Sequence, residues 1–423
     1  MTREEVMNFI DNSKKFGSRL ELSRVEKLCE LLGNPQDKLK CIHIAGTNGK
    51  GSTSVFIHNI LVDAGYNTGL YTSPFIYEFN ERIQINNTPI SDSDLTEIMT
   101  EVSAKVSVML QEGYEHPTEF ELITAAAFLY FERKKCDYVV LEVGLGGIFD
   151  ATNIIKNPLL SIIVSISLDH TDYLGNTVAE VAKNKCGIIK KECPVLSYMN
   201  QPDEAQEVIK ETAHEMKAPL IVAGGESLEI LKCDLSGNRF LYKEEEYETS
   251  LIGKYQVYNS ITAISAARFL CDNGVVISND NIKNGLKMAK WPARFEILRR
   301  NPTVIADGSH NADGMNAFVE TAKQIINEKP ICVFGMLKDK DYDFCLKKLS
   351  EITDTVIVTE VDSPRREIVE NLGKTAKKYI KTVYAEKENK KAIDKALSLA
   401  GKNGTVIALG SLYMMNDIKK SLE

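Results

Sequence analysis

Short apolar runs alternate along most of this chain with longer segments whose apolar residues recur at helical spacing. Residues 41–45 read as a buried strand. A turn holding Gly46, Gly49 and Gly51 follows, and then a helix with Val55, Phe56, Ile60 and Leu61 on one periodic stripe. Further strands are expected at 66–71, 137–143 and 159–165, and residues 80–87 alternate like a strand entering a turn. Helical patterns cover 2–11, 23–33, 92–111, 118–134 and 177–190; Gly33-Asn34-Pro35 stops the second. Residues 194–222 form another β-α-β piece. From 226 to 251 short alternating segments predict an antiparallel excursion, and helices follow at 255–272 and 279–289. Trp291-Pro292-Ala293-Arg294-Phe295 breaks the pattern. Beyond it, strands at 303–306, 331–335, 356–359, 382–385 and 405–409 each precede a helical segment. The expected fold class is α/β: a mainly parallel sheet domain with a small antiparallel excursion over 1–291, a hinge linker at 292–300, and a smaller α/β domain over 301–423.

Composition narrows the class. The 423 residues exceed one ordinary core, and 43% hydrophobic with 26% charged residues is a globular balance. A net charge of −8 argues against a nucleic-acid binder. No apolar run is long enough for a membrane span. The acidic, amphipathic N-terminus is unlike a signal peptide. The nine cysteines include no C-x-x-C pair and read as reduced thiols, so a cytoplasmic location is expected.

Strand, glycine turn, lysine, hydroxyl and helix together make a phosphate cradle. Backbone N–H groups of the glycine turn close on the anion, the helix N-terminus adds positive potential, Lys50 reaches the outer phosphates and Ser52 can hold Mg2+. The general G-x-x-x-x-G-K-[ST] pattern is not met, because Ile44 replaces its first glycine and Gly51 separates lysine from hydroxyl. Ser73 precedes Pro74 in an exposed turn at a strand end. Glu142 is a carboxylate in an apolar strand; it either meets a cation at the strand end or faces solvent on an edge strand. His170 follows the strand at 159–165 and is either surface furniture or a ligand. Ser52, Ser73, Glu142 and His170 form an oxygen and nitrogen set suited to Mg2+ or Mn2+ beside a triphosphate. The run Gly144-Leu145-Gly146-Gly147 is not a dinucleotide fingerprint, since Phe149 takes the place of the third glycine. In the smaller domain, strand ends at 307–311, 335–341 and 410–413 are polar, as a ligand surface requires.

Taken together, A-G-T-N-G-K-G-S (45–52), T-S-P-F-I-x-x-F-N-E-R-I (72–83), T-E-F-E (118–121), L-E-V-G-L-G-G-x-x-D-A-T-N (141–153), L-D-H-T-x-x-L-G (168–175), K-C-G-I-I-K (185–190), W-P-A-R-F-E (291–296), D-G-S-H-N (307–311), G-M-L-x-D-K-D-Y (335–342) and G-S-L-Y (410–413) resemble the Mur ligase superfamily. Within it they closely resemble the folylpolyglutamate synthase/dihydrofolate synthase branch. The resemblance implies a P-loop-type domain followed by a Rossmann-like one. It implies ATP-dependent amide formation between a reduced folate, or dihydropteroate, and L-glutamate. Gly49, Lys50, Gly51 and Ser52 would hold phosphates, with Asn259, Arg294 and Asp307 also on ATP. Ser73, Glu142 and His170 would hold Mg2+, with K+ as a second candidate ion. Lys185 would be carbamoylated, a role composition alone does not suggest. His310 and Ser411 would lie near glutamate. Arg19, Leu20, Glu21, Arg82, Thr118, Phe120 and Asp150 would serve the folate side. Ile148, Phe75, Cys186 and Ala312 depart from residues common in the family. The first two lie on the presumed pterin side.

The implied chemistry activates the folate carboxylate as an acyl phosphate, which the glutamate amine then attacks. ATP and glutamate motifs lie in different domains, so closure about 292–300 is expected, in a monomer. The rivals are a cell-wall amino-acid ligase and a P-loop regulatory protein. Lys50→Ala is expected to abolish glutamate-dependent ADP release while leaving the circular dichroism spectrum unchanged.

Overall fold

The computed structural model describes residues 1–17, 21–224 and 227–422. The chain forms two units, Met1–Glu226 with Tyr258–Met288, and Ser227–Val257 with Ala289–Glu423.

In the first unit, strands β1 (Cys41–Ala45), β2 (Thr68–Tyr71), β3 (Ile83–Ile85), β4 (Thr88–Pro89), β5 (Tyr138–Glu142), β6 (Leu160–Ile163), β7 (Val195–Ser197) and β8 (Leu220–Val222) build one sheet in the order β4-β3-β2-β5-β1-β6-β7-β8. The six strands from β2 to β8 in that order run parallel; β3 and β4 add antiparallel at one edge. β1 is fully buried, as a mostly apolar run in a parallel sheet should be. Residues 80–87, expected to be one strand, divide into a short 3-10 turn (Phe79–Arg82) and β3, because Asn86 and Asn87 take positive φ and turn the chain into β4.

The helix Lys50–Asp63 is covered almost all round, with Gly51 to Leu61 buried. Its outer side is closed by the helix Asn279–Met288. There Gly285 lies against the backbone of Ile60, so close that a Cβ would sit 2.5 Å from the Ile60 nitrogen. Asn281 Nδ2 donates to the Asp63 carbonyl at 3.0 Å. This packing is why residues 258–288, late in the chain, belong to the first unit.

The second unit holds two sheets. β9 (Leu228–Asp234), β10 (Gly237–Tyr242) and β11 (Glu245–Thr249) form the expected antiparallel excursion. Sequence order suggested that it belongs to the larger domain; it packs instead in the second unit. Leu235 and Ile252 join a core with Phe295, Phe318 and Ile407, and Gly253 lies against Thr321 of the helix Ala312–Ile325. The other sheet contains β12 (Glu296–Arg300), β13 (Thr303–Asp307), β14 (Ile331–Phe334), β15 (Thr355–Val358), β16 (Thr382–Ala385) and β17 (Thr405–Leu409), ordered β12-β13-β17-β14-β15-β16. The expected linker 292–300 therefore contains a strand, paired antiparallel to β13 from Glu296 opposite Ala306 to Arg300 opposite Thr303. Its charged, half-buried sequence hides it: an edge strand needs few apolar residues.

All nine cysteines are unpaired, and Cys29, Cys41, Cys186, Cys332 and Cys345 are buried. Among the described residues no helix is long and apolar enough to cross a membrane.

The helices Ser23–Leu31 and Glu119–Arg133 are joined by a buried ion pair. Arg24, 2% exposed, gives Nε and Nη2 to the two Glu121 oxygens at 3.1 and 3.0 Å. Removing one partner would strand a buried charge. Arg24→Ala is expected to lower unfolding stability by about 3–5 kcal/mol in urea titration.

Candidate active site

β1 lies between β5 and β6, with β2 beyond β5, so four strand ends stand side by side. Register keeps them level: Ile44 is opposite Glu142, Ala45 opposite Ile163 and Tyr71 opposite Leu141. The loop after β1 is the glycine turn expected to cradle phosphate, β5 ends on Glu142, and the segments after β2 and β6 carry Ser73 and His170.

The cradle is held by close backbone approaches. Gly49 has φ of 89°, and a Cβ there would lie 2.5 Å from Asn259 Oδ1. Asn259, one of the expected ATP residues, is thus placed against the loop by the helix Lys254–Asp272. At Gly46 a Cβ would meet Val164 Cγ2. The Thr47 amide donates to the Ser165 carbonyl at 2.7 Å, its hydroxyl donates to the Ser167 carbonyl at 2.9 Å, and the Ser167 amide donates back to that hydroxyl at 3.0 Å. The loop after β1 and the segment leading to Asp169 and His170 are therefore one hydrogen-bonded body. Lys50 opens the helix, and its Nζ donates to the carbonyls of Gly46 and Thr47 at 3.1 and 3.2 Å. Gly51 and Ser52 follow in the buried first turn.

Glu142 sits on an interior strand and is 4% exposed, which removes the solvent-facing reading. One of its oxygens accepts from the Ser73 amide at 3.1 Å. His170 precedes the short helix Thr171–Leu174 in the left-handed region, its side chain 42% exposed and its Nε2 3.9 Å from Asp169 Oδ2. Among the described residues no three His, Cys, Asp or Glu side chains cluster as a metal centre. The donors Ser52, Ser73, Glu142 and His170 are hydroxyls, one carboxylate and one imidazole. That chemistry fits Mg2+, which keeps several waters and phosphate oxygens as ligands and takes few from protein.

Lys185 ends the helix Val178–Lys185, is 4% exposed, and donates to the Gly46 carbonyl at 2.7 Å. Burial, and then the Lys50 charge, pull its ammonium down to about 7, against opposing pulls from Asp169 and Asp150. A substantial share of this amine is neutral near neutral pH. Gly147 lets the chain pass the Lys185 backbone; a Cβ there would lie 2.7 Å from the Lys185 oxygen.

Of the folate-side expectations, Arg19 and Leu20 lie outside the described residues. Glu21 pairs with Arg24. Thr118 caps the helix Glu119–Arg133, its hydroxyl accepting from the Glu121 amide and its own amide donating to the Glu121 carboxylate. Phe120 stacks tilted on Tyr71 at 6.0 Å and covers Gly144. Arg82 lies over the rings of Phe75 and Phe79 at 5.5 and 5.6 Å, with Nη2 3.4 Å from Glu119 Oε1. These residues share one end of the sheet. Asp150 differs in kind. Its carboxylate accepts from the amides of Gly144, Leu145 and Thr152 and from the Thr152 hydroxyl, so it shapes its own loop.

In the second unit, β13 and β17 run parallel with Asp307 opposite Leu409, which sets the turn at 307–311 beside Gly410 and Ser411. Buried Asp307 accepts from the amides of Phe295 and Ser309, both at 2.8 Å. Burial raises its carboxyl above the usual range while Arg294 opposes the shift. Arg294 Nη1 donates to the Ala293 carbonyl and lies against Gly308, where a Cβ would be 2.6 Å from it. His310 Nδ1 donates to the Gly308 carbonyl at 2.8 Å, and the Ser411 hydroxyl accepts from the Tyr413 amide at 3.3 Å. Tyr255, not singled out by the sequence, couples electrostatically to both Asp307 and Arg294, and burial pushes its phenol up. Its only sequence signal is the run Y-Q-V-Y-N-S shared with Asn259.

Fold and cradle define a nucleotide-dependent ligase of the Mur class. The Mur ligase middle domain matches residues 44–267, and the Mur ligase glutamate ligase domain matches 293–412. A dihydrofolate synthase/folylpolyglutamate synthase of Bacillus subtilis is 39% identical over 435 aligned residues, 99% of each chain. The folylpolyglutamate synthase of Lacticaseibacillus casei is 35% identical over 88% of each. The crystal structure of Mycobacterium tuberculosis folylpolyglutamate synthase complexed with ADP and AMPPCP superposes with a TM-score of 0.89 at 29% identity, covering 99% of this chain and 97% of that one. The chain belongs to the Mur ligase family, in its folylpolyglutamate synthase/dihydrofolate synthase branch, and is an ATP-dependent ligase.

Gly49→Ala would force a side chain into a left-handed backbone at a cost of about 1–2 kcal/mol and press it on Asn259. AMPPCP affinity, measured by calorimetry, is expected to fall by about tenfold or more.

Proposed function

We propose that the protein joins the α-amino group of L-glutamate to a carboxylate of a reduced folate, with dihydropteroate as a second acceptor, at the expense of ATP. The observation that carries this reading is the cradle after β1, set level with the ends of β2, β5 and β6 in a chain of this ligase family. A free carboxylate is a poor electrophile. In the first step a folate carboxylate oxygen bonds to the γ-phosphorus and the bond to ADP breaks, giving an acyl phosphate. In the second the glutamate nitrogen bonds to the acyl carbon, phosphate leaves, and the nitrogen sheds a proton.

Lys50, Gly49, Gly51 and the first-turn amides would neutralise and orient the phosphates, while Asn259 supports the loop. Ser52, Ser73, Glu142 and His170 would hold Mg2+, which when bound supplies charge neutralisation at the transferring phosphoryl group. K+ is a further candidate ion. Lys185 supplies a neutral amine that can bond to CO2 and lose a proton. The resulting carbamate would reverse the charge beside the Gly46 carbonyl and give a further oxygen donor. In the second unit Asp307 and Arg294 would meet ATP, and His310 and Ser411 would meet glutamate. Arg82 with Phe75, Phe79 and Phe120 offers cation and aromatic surface for a pterin carboxylate and ring. A cytoplasmic location and the absence of a nucleic-acid partner fit the reduced thiols and the net charge of −8, and a monomer is the expected state.

ADP release measured with ATP, Mg2+ and glutamate is expected only when dihydropteroate or tetrahydrofolate is added. Equal release without either acceptor, or with a muramyl acceptor alone, would overturn the reading.

A further inference from the structure

Asp150 was expected beside substrate, yet its oxygens are turned inward. Oδ2 accepts from the amides of Gly144 and Leu145, both at 2.9 Å. Oδ1 accepts from the Thr152 amide at 3.0 Å and from the Thr152 hydroxyl at 2.5 Å. A hydroxyl has one proton, so Thr152 Oγ1, having donated it, can only accept from its other neighbour. That neighbour is His43 Nε2 at 2.8 Å. His43 is on β1, wholly buried, and its Nδ1 has no hydrogen-bond partner. The bond direction therefore requires hydrogen on Nε2. Burial pulls the ring down to about 3, which keeps it neutral.

The relay ends on the turn that follows Glu142. Gly144 is covered by the Phe120 ring, Gly146 lies against the Asn184 side chain, and Gly147 lies against the Lys185 backbone. One short turn thus touches the neighbours of all three candidate groups: carboxylate, aromatic ring and buried lysine. Nothing in the proposed chemistry uses His43 or Thr152.

We propose that His43 and Thr152 are positioning residues: the line His43 Nε2–H, Thr152 hydroxyl, Asp150 carboxylate clamps the turn that runs from Glu142 past Lys185 onto β1, the strand that leads into the phosphate loop. His43 lies two residues before the end of β1, so the strand that carries the cradle also carries the anchor for the turn after its neighbour β5. The clamp rests on the ligase reading only for its catalytic consequence; its effect on metal-supported nucleotide binding does not.

Thr152→Val removes the hydroxyl with nearly the same shape, and Thr152→Ser keeps it. Two readouts separate the clamp from packing: the Mg2+ concentration that half-saturates AMPPCP binding, and kcat for folate-dependent ADP release. Thr152→Val is expected to raise the first and lower the second by about tenfold, the low end of what losing a group bonded directly to a metal ligand costs, because Thr152 acts through the turn. Thr152→Ser should stay near the parent. If Thr152→Val does not fold, His43→Gln, which retains an N–H, is compared with His43→Leu, and the same split is expected. Parent-like behaviour of Thr152→Val or His43→Leu, or equal impairment of Val and Ser variants, overturns the clamp. A parent enzyme without folate-dependent ADP release would instead overturn the function, while the AMPPCP readout would still decide the clamp.

Discussion

Two lysine side chains end on one backbone carbonyl. Lys50 and Lys185 both donate to the Gly46 oxygen, at 3.1 and 2.7 Å. In water the two charges would separate. Here one is fixed as the opening residue of a helix and the other is buried at the end of another helix. Burial first, and then the Lys50 charge, lower the proton affinity of Lys185. Phosphate oxygens arriving at the loop would offer Lys50 a better partner than a carbonyl.

That local geometry depends on the sheet. The order β2-β5-β1-β6 sets side by side the strands that end on Glu142 or lead to Ser73, Lys50 and His170, and parallel register keeps the strand ends level. Glycines at 46 and 49 then let neighbouring chains approach closer than side chains would allow.

The first half of this logic was legible in the chain. A mostly apolar run, a glycine turn and a helix opening on Lys50 can be read locally, and so can strand ends at Ser73, Glu142 and His170, because proline, glycine and charge interrupt apolar runs there. What was not legible depends on partners far away in sequence. β12 is half-charged and is a strand only because β13 pairs with it. Residues 227–257 looked like an excursion of the domain they follow, yet their apolar side chains find their core beyond residue 289. Asp150 was expected near substrate through the resemblance alone; its hydrogen bonds run to Thr152, which in turn meets His43, more than a hundred residues earlier. Arg24 carries no local signal at all, although Glu121 makes it one of the largest fully buried side chains.

The discontinuous second unit has a consequence for synthesis on the ribosome. The β9–β11 hairpins emerge before any strand of the six-stranded sheet, while the helix Asn279–Met288, which closes the first unit, comes after them. Translation therefore delivers an early piece of one core and then the last piece of the other. Leu235 and Ile252 must wait for Phe295, Phe318 and Ile407, the last of them sixteen residues from the C-terminus. During that interval their apolar faces have no native cover, which exposes the nascent chain to misassembly between the two cores.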